Sequence, residues 1–295
     1  MSSIFITGLS GFVGSNLKGY LGASNIILKF HREKELSFKA NAVIHLAGKA
    51  HDLKNTSTPD EYYQVNTELT KEVFNAFLSS DAKVFIVLSS VKAVADCIDG
   101  VLDEQYQPNP ITHYGKSKLL AEQYIFSKEI PDGKRVYILR PCMIHGPGNK
   151  GNLNLLYKFV SNNIPWPLGA FENKRSFCSI DNLMFIFKEL VERDDIPSGV
   201  YNVADDEALS TNELIGLIAQ SQNRKPTVWN FSKKFIESVA SIGDRLQLPL
   251  NTERLHKLTS SYVVSNAKIK AAMGKSLPVS SREGLLRTFK SFNNK

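Results

Sequence analysis

The sequence predicts an α/β fold built on a doubly wound parallel sheet, and three observations lead to it. Short apolar runs of β character alternate with longer helical runs through the first half of the chain. Several of these short runs are apolar throughout, as strands covered on both faces are. The first run passes through a glycine-rich turn directly into a helix, the arrangement by which such a sheet meets a phosphate.

Taken in order, Ser3–Thr7 is the first strand. Gly8, Gly11 and Gly14 follow with G-x-x-G-x-x-G spacing, enclosing Phe12 and Val13, and residues 15–21 read as the first helix. Glycines at these places let backbone approach a pyrophosphate, and the free N–H groups of the helix start face it. Residues 25–30 form the second strand and 41–46 another, ending in His45, Leu46, Ala47 and Gly48. Only about a dozen residues separate them, so the usual third strand–helix unit is reduced to a stub near 36–38. Val84–Leu88 leads into Ser89 and Ser90, and residues 136–139 lead into Arg140 and Pro141. Helical runs at 60–78 and 114–126 lie between. In such a sheet ligands bind beyond the carboxyl ends of the strands, which places Gly8, Ala47, Ser90 and Cys142 around one crevice.

Tyr114 and Lys118 stand at the start of the 114–126 helix, four residues apart. They therefore share a face, roughly 5–6 Å apart. A phenol ordinarily titrates near about 10, and a neighbouring cation is expected to lower that value. Such a phenol is suited to exchange a proton near neutral pH. Tyr124 and Lys128 repeat the spacing and serve as an internal control, read as an ordinary solvated helix face.

These motifs, together with Leu102-Asp103-Glu104, Pro108 and Gly146-Pro147-Gly148, come in an order that resembles the extended short-chain dehydrogenase/reductases of the NAD-dependent epimerase/dehydratase family. The resemblance implies a Rossmann-type lobe over residues 1–150. It also implies a smaller C-terminal substrate-binding lobe over 151–295, with 175–203 returning to the core. It implies a nicotinamide cofactor and a nucleoside diphosphate sugar, expected here to be a UDP-sugar. Carried over by position, Tyr114 is the catalytic acid/base, Lys118 holds the nicotinamide ribose and lowers the Tyr114 pKa, and Ser90 hydrogen-bonds the reacting sugar oxygen. Gly8, Gly11, Phe12, Val13, Gly14, Leu46 and Ala47 line the cofactor. Lys92, Asn152, Leu168, Arg175 and Arg254, with Ser90, face the substrate. The pattern departs from the family's at Ala93-Val94-Ala95, where Val-Tyr-Gly is common, at His145 in place of a Tyr, and at Ser176 in place of an Asp. None of these departures removes a catalytic group.

The cofactor expectation rests on the end of the second strand. NAD-binding relatives carry an acid there for the ribose 2′-OH. Here Lys29 takes that register and Arg32 follows, a pair suited to a 2′-phosphate. NADP(H) is therefore favoured, with NAD(H) as the alternative. Three functions stay open. One is a reductase of a UDP-4-keto-6-deoxy-HexNAc for bacterial surface polysaccharide, resembled by the context around Ser90-Val91-Lys92 and Arg175-Ser176-Phe177. Another is a UDP-hexose 4-epimerase. The third is a dinucleotide-sensing protein without catalysis, from which the retained Ser90, Tyr114 and Lys118 argue away.

Composition narrows the rest. The net charge is +7, but residues 221–295 hold 14 Lys and Arg against 4 Asp and Glu, so this part suits an anionic ligand or surface. No motif calls for nucleic acid. Cys97, Cys142 and Cys178 are read as reduced thiols, and the scattered histidines give no metal site. No apolar run reaches the roughly 18 residues of a membrane span, and the strand at Ile4 leaves no room for a signal peptide, so a cytoplasmic protein is expected. A homodimer through helices like 114–126 is one arrangement the resemblance suggests. Within 231–251, Phe231, Phe235, Ile236, Val239, Ala240 and Ile242 form an apolar helical stripe read as core packing, with a membrane-surface or partner helix as the alternative.

Overall fold

The computed structural model describes residues 3–22, 26–29, 39–49, 58–149, 151–246 and 251–292. Its strands are β1 Ser3–Thr7, β2 Ile26–Lys29, β3 Ala42–His45, β4 Val84–Leu88, β5 Val101–Leu102, β6 Arg135–Pro141, β7 Met143–His145, β8 Phe177–Ser179, β9 Gly199–Val203 and β10 Val263–Val264. Its helices are α1 Phe12–Leu21, α2 Pro59–Tyr62, α3 Leu69–Leu78, α4 His113–Phe126, α5 Asn152–Ser161, α6 Ile180–Glu192, α7 Thr211–Ser221, α8 Lys233–Leu246, α9 Thr252–Thr259, α10 Ala267–Met273 and α11 Ser281–Phe292. A π-helical turn, Tyr63–Glu68, joins α2 to α3 in one run.

The central sheet has the order β2-β1-β3-β4-β6-β9, with every pairing parallel. Strand order reverses beside β1, between β2 and β3, and a ligand crevice opens at such a reversal. Alternate residues of each strand feed opposite cores. Ile4, Ile6, Ile44, Ile86, Tyr137 and Leu139 join one cluster, and Phe5, Val43, Phe85, Val87, Val136 and Ile138 join the other. This two-sided burial explains why the strands read as continuous apolar runs. The first face is covered by α1, α6 and α10, with Tyr262 and Val264 beside them. The second is covered by α3 and by Ile125 of α4.

β9 adds to the central sheet, while β8 pairs with β7, and β10 pairs with β5. The C-terminal part has two cores of its own. Leu153, Leu214, Ile218, Leu285 and Phe289 fill one, and Trp166, Leu168, Ile215, Ile236, Ala240 and Leu255 fill the other. The helix α7 opens with a complete capping box of Ser210 and Glu213.

Sequence boundaries shift in places. α1 starts at Phe12 rather than Ser15, because Phe12 and Val13 pack inward from its first turn. β6 runs two residues beyond Leu139, through Arg140 and Pro141. The stub expected near 36–38 lies outside the described residues. Among the described residues, no helix is long and apolar enough to cross a membrane.

Candidate active site

The glycine turn is built by close approach. Gly8 has φ +75, and a Cβ there would stand 2.6 Å from the Ala47 nitrogen. A Cβ on Gly14 would stand 2.3 Å from the Gly8 carbonyl oxygen. The turn can therefore form only with glycine at both places, and it sets the start of α1 against the end of β3. Among the first-turn donors, Gly11 N–H is taken by Gly8 O (3.1 Å), and the next N–H groups of α1 are those a helix start leaves for a ligand. The cradle fits a dinucleotide pyrophosphate.

A buried hydrogen-bond chain holds the neighbouring loop. Thr70 Oγ1 donates to Asn66 O (2.7 Å) and so accepts from His45 Nε2 (3.0 Å). Thr7 Oγ1 accepts from Leu46 N (3.2 Å) and Ala47 N (3.0 Å), leaving its proton for His45 Nδ1 (2.8 Å). These directions fix His45 as the neutral Nε2–H tautomer. Burial, and then the Lys118 charge, push its pKa down to about 3. The sign follows. The unfolded chain binds this proton near the ordinary 6.5 and the folded chain does not, so the stability is present above pH 6.5 and is lost as pH falls towards 3. At 1.36 kcal/mol per pKa unit this amounts to about 5 kcal/mol. Urea unfolding of the wild type and of His45→Gln at pH 7, 5 and 4 checks it. The wild type loses stability more steeply, and parallel curves would remove His45 from the acid response.

Ser90 lies just beyond β4 in extended conformation, and its Oγ accepts the Lys92 N–H (3.2 Å) while capping a 3-10 turn. α4 is set against it by Asp96, whose carboxylate accepts from Ile111 N (2.8 Å), Thr112 N (3.1 Å) and Thr112 Oγ1 (3.3 Å). Thr112 caps the helix by accepting from Gly115 N (3.2 Å). Tyr114 is thereby placed with its phenol hydrogen-bonded to Ser90 and its ring edge-on to Tyr62, 6.2 Å between centroids. The expected role of Lys118 in lowering the Tyr114 pKa is corrected here. Burial holds the phenol above its ordinary value, and the lowering influence comes from the Ser90 hydroxyl. Lys118 is itself depressed to about 8 by burial, against the opposing pull of Glu122. Its Nζ donates to Leu88 O (2.9 Å) and lies beside Gly48 and the Asn66 amide oxygen.

Sequence reading missed what lies beneath this pair. Glu122 accepts from Arg140 Nε (3.0 and 3.1 Å) and Arg140 Nη2 (2.5 Å), and from the Ser89 hydroxyl, all buried. Asn66, in the π-helical turn, accepts from Lys49 N (2.8 Å) and donates to Ser117 Oγ (3.0 Å). It thus ties the loop after β3 to α4. The available signal was Arg140 itself, a charge in an apolar strand that demands a partner. π-helical turns of this kind often lie at functional sites.

Of the residues expected to face the substrate, Lys92 and Arg175 both lie around Tyr262. Burial lowers both, and each feels nearby charge: Lys92 is lowered further by Arg175, Asp96 opposes that, and Cys97 lies beside both. Lys92 Nζ donates to Asp96 O (2.8 Å) and sits 4.5 Å over the Tyr262 ring. Arg175 Nη1 donates to Lys257 O of α9 (3.0 Å). Two half-buried cations sharing a space suit a polyanion. Arg254 is an exposed residue of the same helix. Asn152 is the first residue of α5 and is exposed, with Gly151 in the capping position, so it is not the helix cap. The Leu168 side chain is committed to the core, and its segment forms an isolated bridge to Asn230. Lys29 ends β2, in register with Ile6, but its side chain and all of Arg32 lie outside the described residues. Tyr124 behaves as a structural residue: its hydroxyl donates to Asn75 Oδ1 (2.8 Å) and Lys71 and Lys128 lie against its ring.

A model of the NAD dependent epimerase/dehydratase family matches residues 28–204. The chain belongs to that family. This family member is 28% identical to the UDP-glucose 4-epimerase of Vibrio cholerae over 98% of its length and 95% of the relative's. It is 27% identical to the GDP-6-deoxy-D-mannose reductase of Pseudomonas aeruginosa, over 73% of its length and 79% of the relative's. Its fold is similar to that of RMD from Pseudomonas aeruginosa complexed with NADPH, at TM-score 0.74 and 22% identity, covering 100% of both chains.

Proposed function

We propose that this epimerase/dehydratase-family enzyme reduces the 4-keto group of a UDP-4-keto-6-deoxy-HexNAc. The observation that carries the reading is the Ser90–Tyr114 hydrogen bond, with Lys118 one turn further along the same helix and the Lys92 and Arg175 cations around Tyr262. Gly8, Gly11 and Gly14 with the first turn of α1 hold the dinucleotide pyrophosphate, Lys118 reaches the ribose, and Arg175 and Asn152 hold the diphosphate of the sugar nucleotide. The bound dinucleotide supplies the hydride chemistry. The protein's own part is to give a proton to the oxygen at carbon 4 and to steady the charge that grows there. Tyr114 gives the proton, and Ser90 donates a hydrogen bond to the same oxygen. Burial holds the phenol above its ordinary value, which favours the protonated form that gives this proton. Lys29 and Arg32 favour NADP(H) by their charge.

The second reading is UDP-hexose 4-epimerase, supported by a likeness to the Vibrio cholerae enzyme that runs nearly end to end. Incubation with UDP-4-keto-6-deoxy-HexNAc separates the two. The expected result is sugar reduction coupled to NADPH oxidation, faster than with NADH. Interconversion of UDP-GlcNAc and UDP-GalNAc without added reductant would replace the reductase by the epimerase.

A further inference from the structure

The helix α8 presents two apolar stripes, and only one is used by the fold. Ile236, Ala240 and Gly243 are buried. Phe235, Ile242 and Leu246 are 54%, 52% and 64% exposed, and Val239 lies between them half-buried. Spacings of four, three and four residues bring Phe235, Val239, Ile242 and Leu246 within an arc of about 60° on a helix that turns about 100° per residue. Phe231 and Trp229 extend the stripe beyond the helix start. Ring centroids are 5.7 Å apart from Trp229 to Phe231 and 5.7 Å from Phe231 to Phe235, and Trp229 is 49% exposed.

Charge placement says what meets this stripe. By the same geometry Lys234 and Arg245 lie together on one flank, about 90° from its centre, while the other flank is buried in the protein. Glu237 and Asp244 fall on the opposite side of the helix, and Asp244 is turned back to accept from Thr252 N (3.1 Å). An exposed apolar line containing Phe and Trp, bordered by cations and with its acids turned away, has the pattern of a helix lying in a membrane interface. The surrounding chain adds to the attraction, since residues 221–295 carry 14 Lys and Arg against 4 Asp and Glu. We infer that α8 and the Trp229–Phe231 segment dock the enzyme on an anionic lipid surface. The inference does not depend on which sugar is reduced.

Vesicle flotation of the full chain tests it, with phosphatidylglycerol–phosphatidylcholine vesicles compared with phosphatidylcholine alone. The wild type is expected to float with the anionic vesicles and to be released by salt. Phe235→Ser with Ile242→Ser, and separately Lys234→Glu with Arg245→Glu, are each expected to lower recovery about ten-fold. All four positions are exposed, so both variants should keep the wild-type melting temperature and turnover on a soluble nucleotide sugar. Recovery that is absent, or equal with both vesicle types, overturns the inference. So does a wild-type dimer split by Ile242→Ser in a chain that ignores vesicles, for a second copy then covers the stripe.

Discussion

Replacing Tyr114 by Phe lowers turnover by about 10²-fold or more and leaves the fold standing, because acid–base groups commonly contribute roughly 10²–10⁴-fold. The hydroxyl removed bonds Ser90, while the ring that remains still packs edge-on to Tyr62. Steady-state rates on the 4-keto substrate, with the melting temperature as a fold control, provide the check. Tyr124→Phe is the matched control. It gives up one bond to Asn75 and should cost about 1 kcal/mol of stability with no change in turnover. A Tyr114→Phe enzyme that turns over like the wild type would end the assignment.

Arg140→Met is expected to be the most damaging change to stability. It leaves Glu122, 2% exposed at its side chain, without the guanidinium that meets both its oxygens. Breaking a buried pair from one side costs about 3–5 kcal/mol, largely because a buried charge is left uncompensated. The double variant Glu122→Leu/Arg140→Met should recover much of that loss, since it removes both charges together. Chemical denaturation of the two variants gives the comparison, and a double variant as weak as the single would refute this account. Turnover should fall in both, because Glu122 also accepts from Ser89 and acts on the Lys118 charge one turn away.

How much of this was legible in the sequence depended on how local the cause was. The six-stranded sheet was readable because each strand is buried on both faces and so carries its signal in its own residues. Spacing gave the Tyr114 and Lys118 pair, and the family resemblance added Ser90, which the structure hydrogen-bonds to Tyr114. The direction of the Tyr114 shift was not, because i, i+4 spacing gives separation but says nothing of burial, and burial dominates. Glu122 was passed over because a carboxylate on a helix normally faces water. Only the fold shows that its turn lies over Arg140. The core reading of the α8 stripe holds at Ile236 and Ala240 and fails at Phe231, Phe235 and Ile242, for a related reason. Its apolar residues lie on two faces about 100° apart, and counting them as one stripe assigned both to the core. The π-helical turn leaves no composition signal, since it depends on bonds between Asn66, Lys49 and Ser117.

The shared cover over one face of the sheet constrains how the chain is made. Ile4, Ile6, Ile44 and Ile86 emerge early from the ribosome, yet the residues that shield them include Ile186 and Leu190 and then Tyr262, Val264, Ile269 and Met273. About 130 residues separate Leu139 from Met273, which is roughly 7–27 s of synthesis at ordinary elongation rates. For that interval the nascent sheet carries an apolar face that α1, and later α6, cover only in part. A chain interrupted before residue 262 lacks the part of that cover supplied by Tyr262, Val264, Ile269 and Met273.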